Sequence, residues 1–337
     1  MNYEEIISLE NLFLAWKEFK KGKIKKIDVW KFSLFLEQNV SKLHEELKSR
    51  KYNHSPYISF YINDPKLRHI HKACVRDRVL HHAIFRILYS LFDKSFIFDS
   101  YSCRINKGTH KAIDRLNHFA RKENQNNTKT IYLLKLDIKK FFDSVDHNIL
   151  LFLIKKKIKD KNTIWLIKTI IDSFSTNYGR GIPLGNITSQ LFANIYLNKL
   201  DYFIKYNLRI KYYIRYCDDF VMINKDKEYL ESIIPIINNF LRKELKLSLH
   251  PNKIIIKKYH QGIDFLGYVS FPEYRLLRTK TKIRMFKKIK RKKRELSKGL
   301  ISESSFNQTL QSYLGVLKHC NGYELEKKII RDIDFFV

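Results

Sequence analysis

Apolar residues recur every three or four positions through SLENLFLAWKEFK (8–20), which sets Leu9, Leu12, Phe13, Trp16 and Phe19 on one helical face. A basic loop, KKGKIKK, follows, and KFSLFLEQNVSKLHEEL reads as a second helix. Pro56 and Pro65 bracket YISFYI, a strand-like stretch. The segment from Lys66 to Phe92 starts extended and basic and runs into a long helix. ENQNNTK (123–129) is polar and loop-like. TIYLLKLD is a near-continuous apolar run ending at Asp137, the pattern of a central buried strand. Helical patterns run from about 147 to 174. GRGIPLGN is a Gly/Pro loop, and TSQLFANIYLNKLDYFI reads as a helix with Thr188 or Ser189 as N-cap. KYYIRY and FVMIN flank Cys217, Asp218 and Asp219 as two strands around a turn. A helix over 227–245 and then short strands follow. This mixture, with no βαβ alternation, no G-x-G-x-x-G and no Walker loop, predicts an α+β fold.

Composition narrows the function. A chain of 337 residues, 44% hydrophobic and 14% aromatic, can bury the cores of two or three subdomains. Its formal charge of +31 repels itself unless a polyanion neutralises it. Nucleic acid is the first reading of that partner and an anionic membrane surface the second. No apolar run approaches a membrane span, and the acidic start MNYEEIISLENLF lacks signal-peptide form. Cys74, Cys103, Cys217 and Cys320 form no C-x-x-C pair, which argues against a disulfide framework or a Cys-based zinc site and fits a reducing cytoplasm. The histidines of RHIHK and at 81–82 have no matching ligand cluster and read as structural or phosphate-facing.

Taken alone, two adjacent aspartates between strands make an ordinary turn. Asp137 at the end of another strand changes that. Carboxylates presented by strand ends and a hairpin can converge on hard cations, and Mg²⁺ takes one or two carboxylates and completes its shell with water and phosphates. Two such ions clamp an in-line displacement at phosphorus. The basic surface then supplies the polyanion and the acids supply the metals.

At these residues the chain resembles a reverse transcriptase. LKLDIKKFFDSVDH is similar to the first palm motif and RYCDDF to the Tyr-x-Asp-Asp motif. LHPNK and FLGYV resemble later palm motifs, and KLRHIHKACVRDRVLHHAI the fingers segment. The resemblance implies a right-hand polymerase with fingers over 1–125, an antiparallel palm over 126–272 and a basic helical thumb over 273–337. It implies two Mg²⁺ ions, with Mn²⁺ as a substitute, held by Asp137, the Ile138 carbonyl, Asp218 and Asp219. Lys66 and Arg68 are expected at the triphosphate, Phe142 beneath the sugar as a gate against a 2′-OH, and Lys253 at the pyrophosphate. Phe265, Leu266 and Gly267 are expected to grip the primer. From 275 to 298 there are thirteen Lys or Arg and one acid. Within that run Lys287, Lys288, Lys290, Arg291, Lys292, Lys293 and Arg294 are expected to ride the phosphates of an RNA–DNA hybrid.

One loop points to a subfamily. Most reverse transcriptases carry Q-G-x-x-x-S-P where this chain reads LGNITSQ, with Leu184 for Gln and Gln190 for Pro around Gly185. That form resembles reverse transcriptases of diversity-generating retroelements, within the group II intron and retron-like superfamily. The resemblance implies error-prone cDNA synthesis at template adenines, a template-repeat RNA, dNTPs, often a small basic accessory variability protein oligomer, and a bacterial, archaeal or phage-encoded cytoplasmic enzyme. Two rivals stay open: a defence-associated or retron-type reverse transcriptase, and a non-enzymatic RNA-binding scaffold.

Overall fold

A computed structural model describes residues 2–63 and 67–334. Four helices open the chain: α1 (Tyr3–Ile7), α2 (Leu9–Phe19), α3 (Ile27–Leu34) and α4 (Leu36–Lys48). The Ser8 hydroxyl accepts from the Asn11 amide and caps α2, which buries Leu12, Ala15, Trp16 and Phe19. Leu9 stands at the first position of the helix and stays exposed. The helix expected over 31–47 is two helices, because Phe35 leaves the helical region (φ −121°, ψ 42°) between them. An exposed antiparallel ribbon follows, β1 (Ile58–Ile62) and β2 (Arg68–Lys72), then the long helix α5 (Val75–Asp93). Hydrophobic periodicity left 94–122 without an element, yet α6 (Thr109–Glu123) is there. Its buried stripe of Ala112, Ile113, Leu116, Phe119 and Ala120 is narrow and set among basic residues.

The central sheet has the order β4-β5-β3-β6: β3 (Tyr132–Asp137), β4 (Tyr212–Tyr216), β5 (Asp219–Asn224) and β6 (Ile255–Lys258), every neighbour antiparallel. Side chains alternate between two cores. Leu134, Leu136, Tyr213, Phe220 and Met222 face a core shared with the N-terminal helices, with α8 (His147–Lys155), α9 (Lys161–Asp172), α10 (Ile187–Tyr202) and α11 (Lys227–Leu245). Leu133, Ile214, Val221 and Ile223 face a second core with α6 and the C-terminal elements. Burial on both faces explains the near-continuous apolar runs in these strands. A short helix, α7 (Phe141–Ser144), leaves the end of β3.

The N-cap of α10 is Asn186, not Thr188 or Ser189. Both of those lie buried in the first turn, where Thr188 Oγ1 is 2.6 Å from His81 Nδ1 on α5. At the C-terminal end a small sheet, β7 (Ile263–Phe265), β8 (Tyr268–Ser270) and β9 (Arg275–Leu277), carries α12 (Thr279–Ser297), α13 (Glu303–Leu317) and α14 (Tyr323–Asp334). Met285 and Ile289 of α12, Leu317 and Ile329 seal these helices onto the second core. Among the described residues no helix is long and apolar enough to cross a membrane.

Candidate active site

The register of the central sheet puts Asp137 directly opposite Asp219. Between β4 and β5 the chain turns on Cys217 and Asp218, with Tyr216 paired to Asp219. Cys217 takes φ = 57°, uncommon for a residue with a side chain, so this turn is held rather than left to local preference. The Ile138 amide donates to the Asp218 carbonyl at 3.1 Å, and the Lys139 amide to the Ser248 carbonyl at 2.9 Å. The His250 amide donates to the Asp137 carbonyl at 2.8 Å. Three carboxylates are thus brought together at one end of the sheet, with Ile138 beside the turn.

Their charges are costly there. Burial holds Asp218 above the ordinary carboxylate range, and Asp137 beside it adds to the effect. Asp219 is pushed up to about 6, chiefly by burial, with Lys135 opposing. Lys135 Nζ lies 3.1 Å from Asp219 Oδ2, and Lys253 Nζ lies 2.7 Å from Asp137 Oδ1. Asp219 Oδ1 is buried, and it has no hydrogen-bond partner among the described residues. Among those residues no three His, Cys, Asp or Glu side chains close into a ready-made metal cluster. An all-oxygen donor set with an orphaned carboxylate oxygen fits a hard divalent cation that draws its remaining ligands from water and phosphate.

The structure separates Phe141 from Phe142. Phe141 is fully buried, whereas Phe142 is half-buried, edge-on to it with ring centroids 5.3 Å apart. Leu184 is half-buried in a turn whose carbonyl accepts from the His71 amide at 3.2 Å. Gly185 takes φ = +123° there, and a Cβ would sit 3.4 Å from the His71 carbonyl oxygen. The turn therefore packs on β2, and glycine serves both its backbone angle and that close approach. Gln190 is exposed on the first turn of α10. Arg68 opens β2 and is exposed; Lys66 lies outside the described residues.

Leu266 (φ 52°) and Gly267 (φ 92°) form the two-residue turn between β7 and β8. Phe265 is fully buried in the second core, so its side chain cannot grip a strand and the tip consists of Leu266 and Gly267. On α12, Lys287, Lys290, Arg291 and Arg294 are exposed, while Lys288, Lys292 and Lys293 are half-buried. Glu295 pairs with Lys292 at 2.6 Å and Arg291 at 3.5 Å.

Two features of the site lay outside what the sequence pattern suggested. Lys135 links the sheet to the β7–β8 hairpin, donating to the Asp264 carbonyl at 2.9 Å while pairing with Asp219. Arg215, inside the apolar strand KYYIRY, is fully buried and ion-paired with Asp201. A lone charge in a buried strand is the sequence signal for such a pair.

The antiparallel sheet with carboxylates at its end, capped by helices on either side, is a right-hand polymerase fold. Residues 62–270 match the family described as reverse transcriptase (RNA-dependent DNA polymerase), and the chain belongs to that family. Reverse transcriptases use divalent metal ions.

The chain is similar to three curated relatives, and it spans half or less of the length of two of them. It is 26% identical to Protein YkfC of Escherichia coli (strain K12), with 67% of this chain and 69% of the relative covered. It is 25% identical to the group II intron-encoded protein LtrA of Lactococcus lactis subsp. cremoris, covering 69% of this chain and half of the relative. It is 23% identical to the putative COX1/OXI3 intron 2 protein of Saccharomyces cerevisiae (strain ATCC 204508 / S288c), covering 68% of this chain and 34% of the relative. Among solved structures, apo telomerase from Candida tropicalis superposes with a TM-score of 0.50 at 15% identity, over 65% of this chain and 48% of that one.

Proposed function

We propose that this chain is an RNA-directed DNA polymerase whose catalytic carboxylates are Asp137, Asp218 and Asp219. The observation that carries this is the register that sets Asp137 against Asp219, with Asp218 in the adjoining turn. Asp137, the Ile138 carbonyl, Asp218 and Asp219 would hold two Mg²⁺ ions, with Mn²⁺ as a substitute. Those ions supply charge neutralisation and a lowered hydroxyl pKa for phosphoryl transfer. The chain's own residues orient the reactants. Lys66, Arg68 and Lys253 hold phosphates of the incoming dNTP, Lys253 being released from Asp137 as it does so. Phe142 closes the space a 2′-OH would fill. Leu184 and Gly185, from the loop before α10, and Gln190, on its first turn, line the nucleotide, and the Leu266–Gly267 tip meets the primer. The α12 cations hold the RNA–DNA hybrid. Fingers, palm and thumb divide at about residues 125 and 272.

The narrower reading is the diversity-generating type, on Leu184 and Gln190, with a template-repeat RNA and an accessory variability protein as partners. A second reading is a group II intron-type enzyme, favoured by the group II intron-encoded relative LtrA. Extension of a DNA primer on an RNA template with dNTPs and Mg²⁺ tests the activity, and its absence would reject the enzyme. Leu184→Gln separates the subtypes. Adding one oriented hydrogen bond near the nucleotide is worth about 0.5–1.5 kcal/mol, roughly threefold to tenfold in selectivity. Errors opposite template adenine should fall by that factor, more than total synthesis does. Coincident error spectra would return Leu184 to a packing role.

A further inference from the structure

A fully buried guanidinium directly behind a catalytic hairpin asks for a reason. Arg215 has five N–H donors and the structure satisfies all of them. Nε donates to Asp201 Oδ1 at 2.6 Å, and Nη2 to Asp201 Oδ2 at 2.7 Å and to Ser100 Oγ at 3.0 Å. Nη1 donates to Asn194 Oδ1 and to the Cys217 carbonyl, each at 3.2 Å. Tyr213 donates to Asp201 Oδ1 at 2.7 Å, and Asn194 Nδ2 to the Ser102 carbonyl at 2.9 Å. Arg215 is itself fixed by its backbone, its amide donating to the Asp99 carbonyl and its carbonyl accepting from the Tyr101 amide.

Stability alone does not call for this arrangement, since a buried ion pair is often no better than apolar residues of the same volume. What a planar fork adds is direction. It reaches the turn at the carbonyl of Cys217, the residue in the left-handed conformation and the one immediately before Asp218. That turn presents two carboxylates that repel each other and Asp137. From the other side, the Ile138 amide ties down the Asp218 carbonyl. We propose that Arg215, locked by Asp201 and Asn194, is the positioning residue that fixes the Cys217–Asp218 turn and thereby aims Asp218 and Asp219.

The inference rests on the polymerase reading, and one measurement is independent of it. Arg215→Lys keeps a cation opposite Asp201 but offers no fork to reach Asn194 and the turn together. Nucleotide addition should slow on the order of ten- to a hundredfold, as small misplacements of reacting groups do. The KM for dNTP and the affinity for template RNA should stay unchanged. In the protein without substrates, amide exchange at Asp218 and Asp219 should become faster. Ser100→Ala removes another acceptor of the same guanidinium without touching the turn, so it should lower the melting temperature and spare the rate. Should Arg215→Lys fail to fold, Asn194→Ala loosens Nη1 with a smaller perturbation and should slow addition while Ser100→Ala does not. Rates that simply follow melting temperature across the three variants, or hairpin amides that stay protected, would overturn the proposal. If the wild-type protein extends no primer, the polymerase reading fails, and the exchange comparison still decides whether Arg215 holds the turn.

Discussion

Behind the central sheet, Arg215 and Asp201 are fully buried and every guanidinium donor has a designated acceptor. Along α12, lysines and arginines crowd a surface on which Glu295 is the one acid, and most of them face water. The same residue types do opposite work in the two places. In the interior a charge is tolerable only in one geometry, because an unpaired buried ion is penalised heavily. On the helix an exposed cation stays solvated in many rotamers, and it acts by adding to a field. Interior positions should therefore respond steeply to one substitution, and α12 should respond gradually to several.

The largest effect is expected at the carboxylates. Asp218→Asn should lower nucleotide addition by on the order of a thousandfold or more, because several kcal/mol of transition-state stabilisation depend on the ligand set. RNA affinity should stay within about threefold, since phosphates are held by the basic surface. Primer extension and filter binding on the same preparation measure both. Extension near the wild-type rate would break the distinction between the two regions at its strongest point.

Phe142→Ala comes next. Removing the ring that Phe141 supports should admit ribonucleotides, reducing discrimination against rNTPs by about tenfold or more. Parallel dNTP and rNTP incorporation assays give the ratio. Unchanged discrimination would leave Phe142 as a core residue like its neighbour.

A buried pair in the first core sharpens the comparison through pH. His54 Nδ1 lies 2.6 Å from the Ser55 carbonyl, so it carries a proton, and His54 Nε2 must accept from His81 Nε2 at 3.1 Å. His81 Nδ1 then accepts from the Thr188 hydroxyl. Burial, with His54 adding to it, pushes His81 down to about 3 from an ordinary value of 6.5. The folded form thus binds its proton less readily than the unfolded chain. The associated stability is complete above about pH 6.5 and is lost as pH falls toward the folded value. One such group costs about 1.4 kcal/mol per pH unit in that window. Between pH 7.5 and 5.5 this group by itself removes about 1.4 kcal/mol, so in urea unfolding the His81→Gln variant should lose less stability over that interval than the wild type by about that amount. A variant with the full wild-type slope would place the titration elsewhere.

The smallest effects per residue belong to α12. Reversing Lys287, Lys290, Arg291 and Arg294 to Glu should reduce the dependence of log affinity on log salt by about 0.9 for each phosphate that the helix no longer neutralises. RNA titrations at several salt concentrations would show it. A slope untouched by all four reversals would mean that this face of α12 meets solvent or protein.

The carboxylate arrangement of the candidate site was legible because it is local. A strand ending at Asp137 and a turn carrying Asp218 and Asp219 are written in consecutive residues, and periodicity places them on a sheet. The basic run over 275–298 and the α+β class follow from composition and alternation in the same way. What could not be read depends on partners far along the chain. Nothing in KYYIRY says that Arg215 meets Asp201, Asn194 and Ser100, which are up to 115 residues away. Thr188 looks like a helix cap until His81 arrives from α5 to take its hydroxyl. Phe265 and Phe142 are equally aromatic in sequence, yet packing buries one completely and leaves the other half open. Which residues carry charge and where strands must turn are properties of short segments, and both can be read along the chain. Which charges are paired, which rings are accessible and what the Cys217–Asp218 turn touches depend on the fold, because burial and hydrogen-bond partnership exist once distant segments meet.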